Sequence, residues 1–241
     1  MTFDLRDRLI LVTGASRGIG KSVALAAAKA GAELIITGRT IGALEEVDDE
    51  IKALGGKATI VELDMKDYAA MPRLAVAIHG RWGRLDGYVA NAAMLSALTP
   101  VPHIEEDVWN DNMAVNLTGQ WHMIKALDPL LRTAPAGRAV IVSSGAASGI
   151  RAFWGPYAAT KAGLEALGRS WAGESEQTSL RINMIDPGGT ATGMRASAFP
   201  GEKPETLPQP NDIAPAFLSL LDESCDRHGE LLSARQMLGL N

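Results

Sequence analysis

Short apolar runs rich in β-branched residues alternate along the chain with longer Ala-rich stretches whose apolar positions recur at helical spacing. This is the pattern of βαβ units feeding a parallel sheet. The runs predict strands near 9–13, 34–38, 58–63, 86–90, 138–143 and 180–185, with an edge strand near 230–234. Helices are expected near 18–30, 41–54, 67–80, 105–132, 156–174 and 212–222. Before residue 187, Pro and Gly are spread along the chain mostly at element ends, so no linker divides the chain. One doubly wound α/β domain over residues 1–241 is expected. The stretch Pro200–Pro210 is different, with prolines at 200, 204, 208 and 210. A loop this long in a compact domain points to a binding element, and a lid near 190–210 should close over the carboxyl ends of the strands.

With 46% apolar and 21% charged residues, the 241-residue chain can bury a sizeable core. A formal charge of −5 argues against nucleic-acid phosphates or an anionic membrane face as partners. No apolar run approaches the roughly 20 residues that span a bilayer. Met1–Arg8 alternates charge with apolar residues, unlike a signal peptide, and a cytoplasmic protein is expected. Cys225 is the sole cysteine, which excludes an internal disulfide and a dithiol redox centre. His79, His103, His122 and His228 have no ligand-like spacing, so no metal site is expected.

The first strand ends in Thr13-Gly14-Ala15-Ser16-Arg17-Gly18-Ile19-Gly20, and an Ala-rich helix follows at once. Glycines permit a tight turn and close backbone approach, and a helix start offers unpaired N–H groups to a pyrophosphate. Gly20-Lys21-Ser22 also reproduces the end of the nucleotide-binding loop G-x-x-x-x-G-K-[ST], but that register wants glycine where the chain has Ala15.

Downstream, Asn91-Ala92-Ala93 follows the fourth strand, Ser144 the fifth, and Tyr157-Ala158-Ala159-Thr160-Lys161 opens the next helix. Together with the glycine turn, this set resembles the short-chain dehydrogenase/reductase family in order and spacing, from Arg8 to about Leu221. The resemblance implies a Rossmann-type sheet and an NAD(P)-dependent enzyme interconverting a small-molecule carbonyl and an alcohol. Pro187–Pro200 resembles a bacterial subgroup of that family. Ala93 stands where the family usually has glycine, and Gly229–Asn241 lacks its usual C-terminal ending.

The residues themselves carry much of the chemistry. Tyr157 and Lys161 are one helical turn apart on a common face, so the ammonium can stand near the phenol and lower its pKa. Tyr157 can then exchange a proton with the substrate oxygen, which Ser144 can also hydrogen-bond. By resemblance, Asn116 holds a water that links Lys161 to solvent. A non-catalytic dinucleotide sensor is the alternative, but it would need neither Tyr157 nor Lys161.

An NAD-specific site should place an acid after the second strand, whereas this chain has Gly38-Arg39. Arg39 can meet a 2′-phosphate, with Arg17 its second contact by resemblance, so NADP is favoured and NAD is the alternative. Asp64, with Met65 beside it, resembles the adenine-contacting acid and equally suits a cap for the helix near 67. Pro187, Gly188, Thr190 and Thr192 stand by resemblance along the rest of the cofactor. Arg151 and Arg195, near Phe153 and Trp154, are either anchors for an anionic or polar substrate group or solvated charges. A homodimer or homotetramer is expected by resemblance, through helices near 105–132 and 156–174, with Ala158, Ala162, Ala166 and Gly168 permitting close helix approach.

Overall fold

The computed structural model describes residues 3–240. A parallel sheet of seven strands runs in the order β3-β2-β1-β4-β5-β6-β7. The strands are β1 Leu9–Thr13, β2 Glu33–Gly38, β3 Lys57–Glu62, β4 Gly87–Ala90, β5 Arg138–Val142, β6 Arg181–Asp186 and β7 Leu231–Ser233. The chain reverses its winding between β1 and β4, and in open α/β sheets that reversal leaves a crevice at the strands' carboxyl ends.

Strand side chains alternate between two cores. Ile10, Val12, Val140 and Val142 pack on one face with helices α1 (Gly18–Lys29), α2 (Ile41–Ala53) and α8 (Pro210–Leu221). Leu9, Leu11, Ala139 and Ile141 pack on the other, against α3 (Ala70–Trp82), α5 (Gly119–Thr133) and α6 (Gly155–Gly173). Because both faces are covered, the central strands read as near-continuous apolar runs.

The structure departs from the sequence pattern in three places. The helix expected over 105–132 is α4 (Glu106–Met113) followed by a π-helical turn, Ala114–Thr118, and then α5. Helix α3 begins at Ala70, later than 67. The lid stretch contains a short helix, α7 (Gly193–Ala198), and a 3₁₀ turn at Pro204–Thr206. The edge strand expected near 230–234 forms as β7, although the usual family ending is missing, and it pairs with β6 from Met184↔Leu231 to Asp186↔Ser233. Helix α9 (Ala234–Leu238) then buries Ala234 fully and packs Met237 and Leu238 on the core that contains α8.

The small residues of α6 do not all face outward. A Cβ on Gly168 would stand 2.8 Å from Met184 Sδ and 2.9 Å from Ile141 Cδ1, so Gly168 faces the sheet and serves helix–sheet packing rather than a partner. Ala158 and Ala162 are half-buried and Ala166 is exposed.

Candidate active site

A cavity of about 350 Å³ opens at the carboxyl ends of the strands, where the winding reverses between β1 and β4. Its floor is the glycine turn. Gly14 has φ +63°, and a Cβ there would stand 2.9 Å from Ala92 Cα, so only glycine lets the two strand ends meet. Helix α1 starts with Arg17 in extended conformation, no side-chain cap and no acid in its first turn. Its first N–H groups therefore remain open to an anion beside Arg17, Gly18 and Ile19, which line the cavity with Gly14 and Ser16. Gly20 does not reach the cavity wall. A side chain there would collide with the Gly14 carbonyl and come within 2.5 Å of Asn91 Nδ2, so its part is close helix–strand packing.

Asn91 joins the two central strands, with Nδ2 donating to the carbonyls of Thr13 (2.8 Å) and Gly14 (3.1 Å). Thr13 Oγ1 accepts from the N–H groups of Asn91 (3.0 Å) and Ala92 (3.1 Å). Beneath them the buried Tyr88 hydroxyl donates to Gln120 Oε1 at 2.9 Å, and Gln120 Nε2 donates to the Ala92 carbonyl at 2.7 Å. These bonds fix the Asn91-Ala92-Ala93 wall.

Tyr157 and Lys161 project from α6 into the same cavity, with Ser144 opposite on the chain leaving β5. Lys161 Nζ is buried, donates to the Val142 carbonyl at 2.7 Å and lies 5.7 Å from the Tyr157 ring centroid. Burial dominates the electrostatics. It pushes the Tyr157 phenol up to about 12, with the Ser144 hydroxyl pulling down and the Asp186 carboxylate adding to the rise. It also pushes Lys161 down to about 8. Burial is the leading cause of the rise at Tyr157, and Lys161 is not among the causes of its shift. A phenol held protonated is a proton donor at neutral pH and a poor base.

Asn116 lies in the π turn, fully buried and off the cavity wall. Its Oδ1 accepts from Met94 N at 2.8 Å, and its Nδ2 donates to Met94 O at 2.9 Å and Thr160 Oγ1 at 3.3 Å. Both ends of the amide are committed to holding Met94, which lines the cavity, against α6.

At the far end of the cavity stand Arg39, Asp64 and Met65, beside Arg17. Among the described residues neither Arg17 nor Arg39 has a carboxylate partner, whereas nearby Lys66 pairs with Asp111 at 2.9 Å. Asp64 is not the helix cap: Ala70 N donates to Asp67 Oδ1 at 3.1 Å, while Asp64 Oδ1 accepts from Lys66 N at 2.8 Å. Asp64 thus stays on the cavity wall.

Pro187, Gly188, Thr190 and Thr192 line the cavity where β6 leads into the 190–210 stretch. Arg195 is not a free cation. Its guanidinium donates to Glu202 through Nε (2.6 Å) and Nη2 (2.7 Å), and its Cζ lies 3.9 Å over the Phe199 ring. Phe199 tilts against Trp154 at 5.9 Å, and Trp154 meets Tyr157 edge-on at 5.7 Å, so an aromatic roof leads from the ion pair to the phenol. Arg151 remains unpaired among the described residues and lines the cavity. Sequence reasoning missed Asp186, Gly145 and Met94 on this wall. Asp186 and Gly145 could have been found from their place at or just beyond the carboxyl ends of β6 and β5. No group of three metal-ligating side chains occurs among the described residues.

A parallel sheet wound both ways from β1, with a glycine turn at the switch and a Tyr/Lys/Ser cluster beside it, defines a dinucleotide-dependent oxidoreductase. The family profile described as short chain dehydrogenase matches residues 8–203, and the chain belongs to the short-chain dehydrogenase/reductase family. It is 40% identical over 226 residues to the uncharacterized oxidoreductase YciK of Escherichia coli K12, covering 92% of this chain and 89% of that one. A Shigella flexneri structure complexed with NADP superposes with a TM-score of 0.93 at 39% identity, covering 98% of this chain and 100% of that one. An Escherichia coli structure complexed with NADPH gives a TM-score of 0.93 at 39% identity over 98% and 99% of the two chains. Among the described residues no helix is long and apolar enough to cross a membrane.

Proposed function

We propose that the protein reduces a small carbonyl compound to an alcohol with NADPH, reversibly, with Tyr157 as the acid/base group. The observation that carries this reading is the convergence of Tyr157, Lys161 and Ser144 on one end of a cavity whose other end holds Arg17 and Arg39, which have no carboxylate partner among the described residues. The residues present fit the cofactor: Gly14, Ser16, Arg17, Gly18 and Ile19 line the cavity, and the uncapped start of α1 faces it. Arg17 and Arg39 would hold a 2′-phosphate, and Asp64 with Met65 the adenine end, as the complexes of similar chains with NADP and NADPH support. NADPH supplies the hydride.

The chain's own groups do the rest. Tyr157, protonated at neutral pH, gives its proton to the carbonyl oxygen, and the Ser144 hydroxyl hydrogen-bonds the same oxygen as charge develops on it. Lys161 keeps a positive charge within reach of the phenol and replaces its proton. Asn116 positions Met94 and α6; with its amide fully bonded, a water path to Lys161 would run through a group other than that side chain. The 190–210 stretch acts as the lid that excludes water. We assign the dimer contact to α4, α5 and the outer face of α6.

The test is NADPH oxidation against a broad panel of aldehydes, ketones and diketones. Turnover that disappears in Ser144→Ala supports the reading. Tight NADPH binding with no turnover of any compound would favour the sensor instead.

A further inference from the structure

Two groups of opposite charge flank Gly145 on the cavity wall without pairing. A Cβ on Gly145 would stand 3.3 Å from Asp186 Oδ2 and 3.8 Å from Arg151 Nη2, yet among the described residues the two side chains form no ion pair. Asp186 is held in place because its Oδ1 accepts the Gly188 N–H at 2.8 Å, which leaves Oδ2 turned to the gap without a donor. Arg151 has no acceptor among the described residues, and its stem folds back over the turn: a Cβ on Gly149 would stand 3.8 Å from its Nε. The gap exists because residue 145 has no side chain. It lies one residue beyond Ser144, about 3.8 Å between α-carbons, and the Asp186 charge is felt at Tyr157.

A group entering this gap must accept from a guanidinium and donate to a carboxylate. A hydroxyl does both at once. A carboxylate satisfies Arg151 but meets the like charge of Asp186, and an ammonium has the converse difficulty. We propose that Asp186 and Arg151, held apart by Gly145, are specificity-determining residues that select carbonyl substrates bearing a hydroxyl on the neighbouring carbon. This rests on the carbonyl-reducing reading of the cavity. The neighbouring hydroxyl is unchanged in the reaction: the C=O π bond breaks, the ketone carbon gains the hydride given up by NADPH, the oxygen gains the Tyr157 proton, and the product is a vicinal diol with NADP⁺. The anion anchor expected at Arg151 becomes one half of a hydroxyl clamp.

Acetophenone, phenacyl alcohol and benzoylacetate share a phenyl ketone, suited to Trp154 on the cavity wall, and differ at one carbon by hydrogen, hydroxyl or carboxylate. Hydrogen bonds to charged groups predict that kcat/KM for phenacyl alcohol exceeds that for acetophenone by about tenfold or more, with benzoylacetate no better than acetophenone. In Gly145→Ala the backbone is unstrained, since Gly145 does not have positive φ, and the methyl occupies the gap. The hydroxyl preference should fall toward unity there and in Arg151→Ala. A ratio near one in the wild type, a preference for benzoylacetate, or a ratio that survives both substitutions overturns the proposal while leaving the carbonyl-reducing reading intact. Calorimetry of phenacyl alcohol and acetophenone on the protein with NADP⁺ makes the same comparison without turnover. If no ketone is reduced the enzymatic reading fails, and equal or absent binding of the two compounds then overturns the clamp as well.

Discussion

Replacing Lys161 by methionine tests the electrostatic character of the site, because the side chain is fully buried and, among the described residues, its only polar contact is the Val142 carbonyl. Burial moves the ammonium from 10.5 to about 8, which at ~1.36 kcal/mol per unit is about 3 kcal/mol of unfavourable free energy in the charged folded state. The sign follows from proton binding. Between the folded value of about 8 and the unfolded 10.5 the unfolded chain holds more protons, so stability rises with pH across that window. Below it the full cost is present. Methionine removes the titration and leaves the Val142 carbonyl unpaired, a pH-independent cost of roughly 1–3 kcal/mol. Tyr157 titrates in both proteins and cancels on subtraction, since Lys161 is not among the causes of its shift. Urea unfolding of both proteins from below pH 8 to about pH 10.5 should therefore show the wild type gaining about 3 kcal/mol on the variant. A difference that stays flat across the window would mean that Lys161 is solvated, and would refute the enclosed site.

Arg39→Ala should raise the Kd for NADPH by about tenfold or more while leaving NADH nearly untouched, because only NADPH carries the 2′-phosphate; equal losses in fluorescence titrations of the two would contradict the assignment. Arg195→Met breaks the pair with Glu202 and the contact over Phe199, both within the lid, so limited proteolysis should cut within 190–210 several-fold faster than in the wild type, with NADPH restoring less protection. Light scattering at micromolar concentration should give a dimer or tetramer, and Ala166→Arg, on the exposed face of α6, should shift it toward monomer. A wild-type monomer would remove the proposed interface.

Much of this was legible in the sequence, since fully buried parallel strands and amphipathic helices have different periods, and all seven strands and most helices fall within a few residues of their expected bounds. The glycine turn and the Tyr157/Lys161 spacing were legible because local geometry alone fixes them. What stayed hidden depends on contacts distant in sequence or not periodic. The π turn at Ala114–Thr118 interrupts an unbroken helical pattern, and nothing in that pattern signals the bonds from Asn116 to Met94. Gly168 has the spacing of an interface residue, yet a small residue on a helix serves the sheet behind it equally well. Arg195 could be read as free because its partner Glu202 lies beyond a short helix in a loop without period. The fall of Lys161 and the rise of Tyr157 follow from burial, which two residues one turn apart do not reveal.

The central claim is that Tyr157 gives the proton in carbonyl reduction while the rest of the cavity binds the cofactor. Tyr157→Phe keeps the ring that meets Trp154 edge-on and removes only the hydroxyl. Titration of NADPH into this variant, followed by NADPH oxidation with the best wild-type substrate, separates the two roles. The account predicts an unchanged Kd for NADPH within about twofold and a kcat lower by ~10²-fold or more, the span of general acid catalysis. A variant that binds NADPH normally and turns over at the wild-type rate would contradict it.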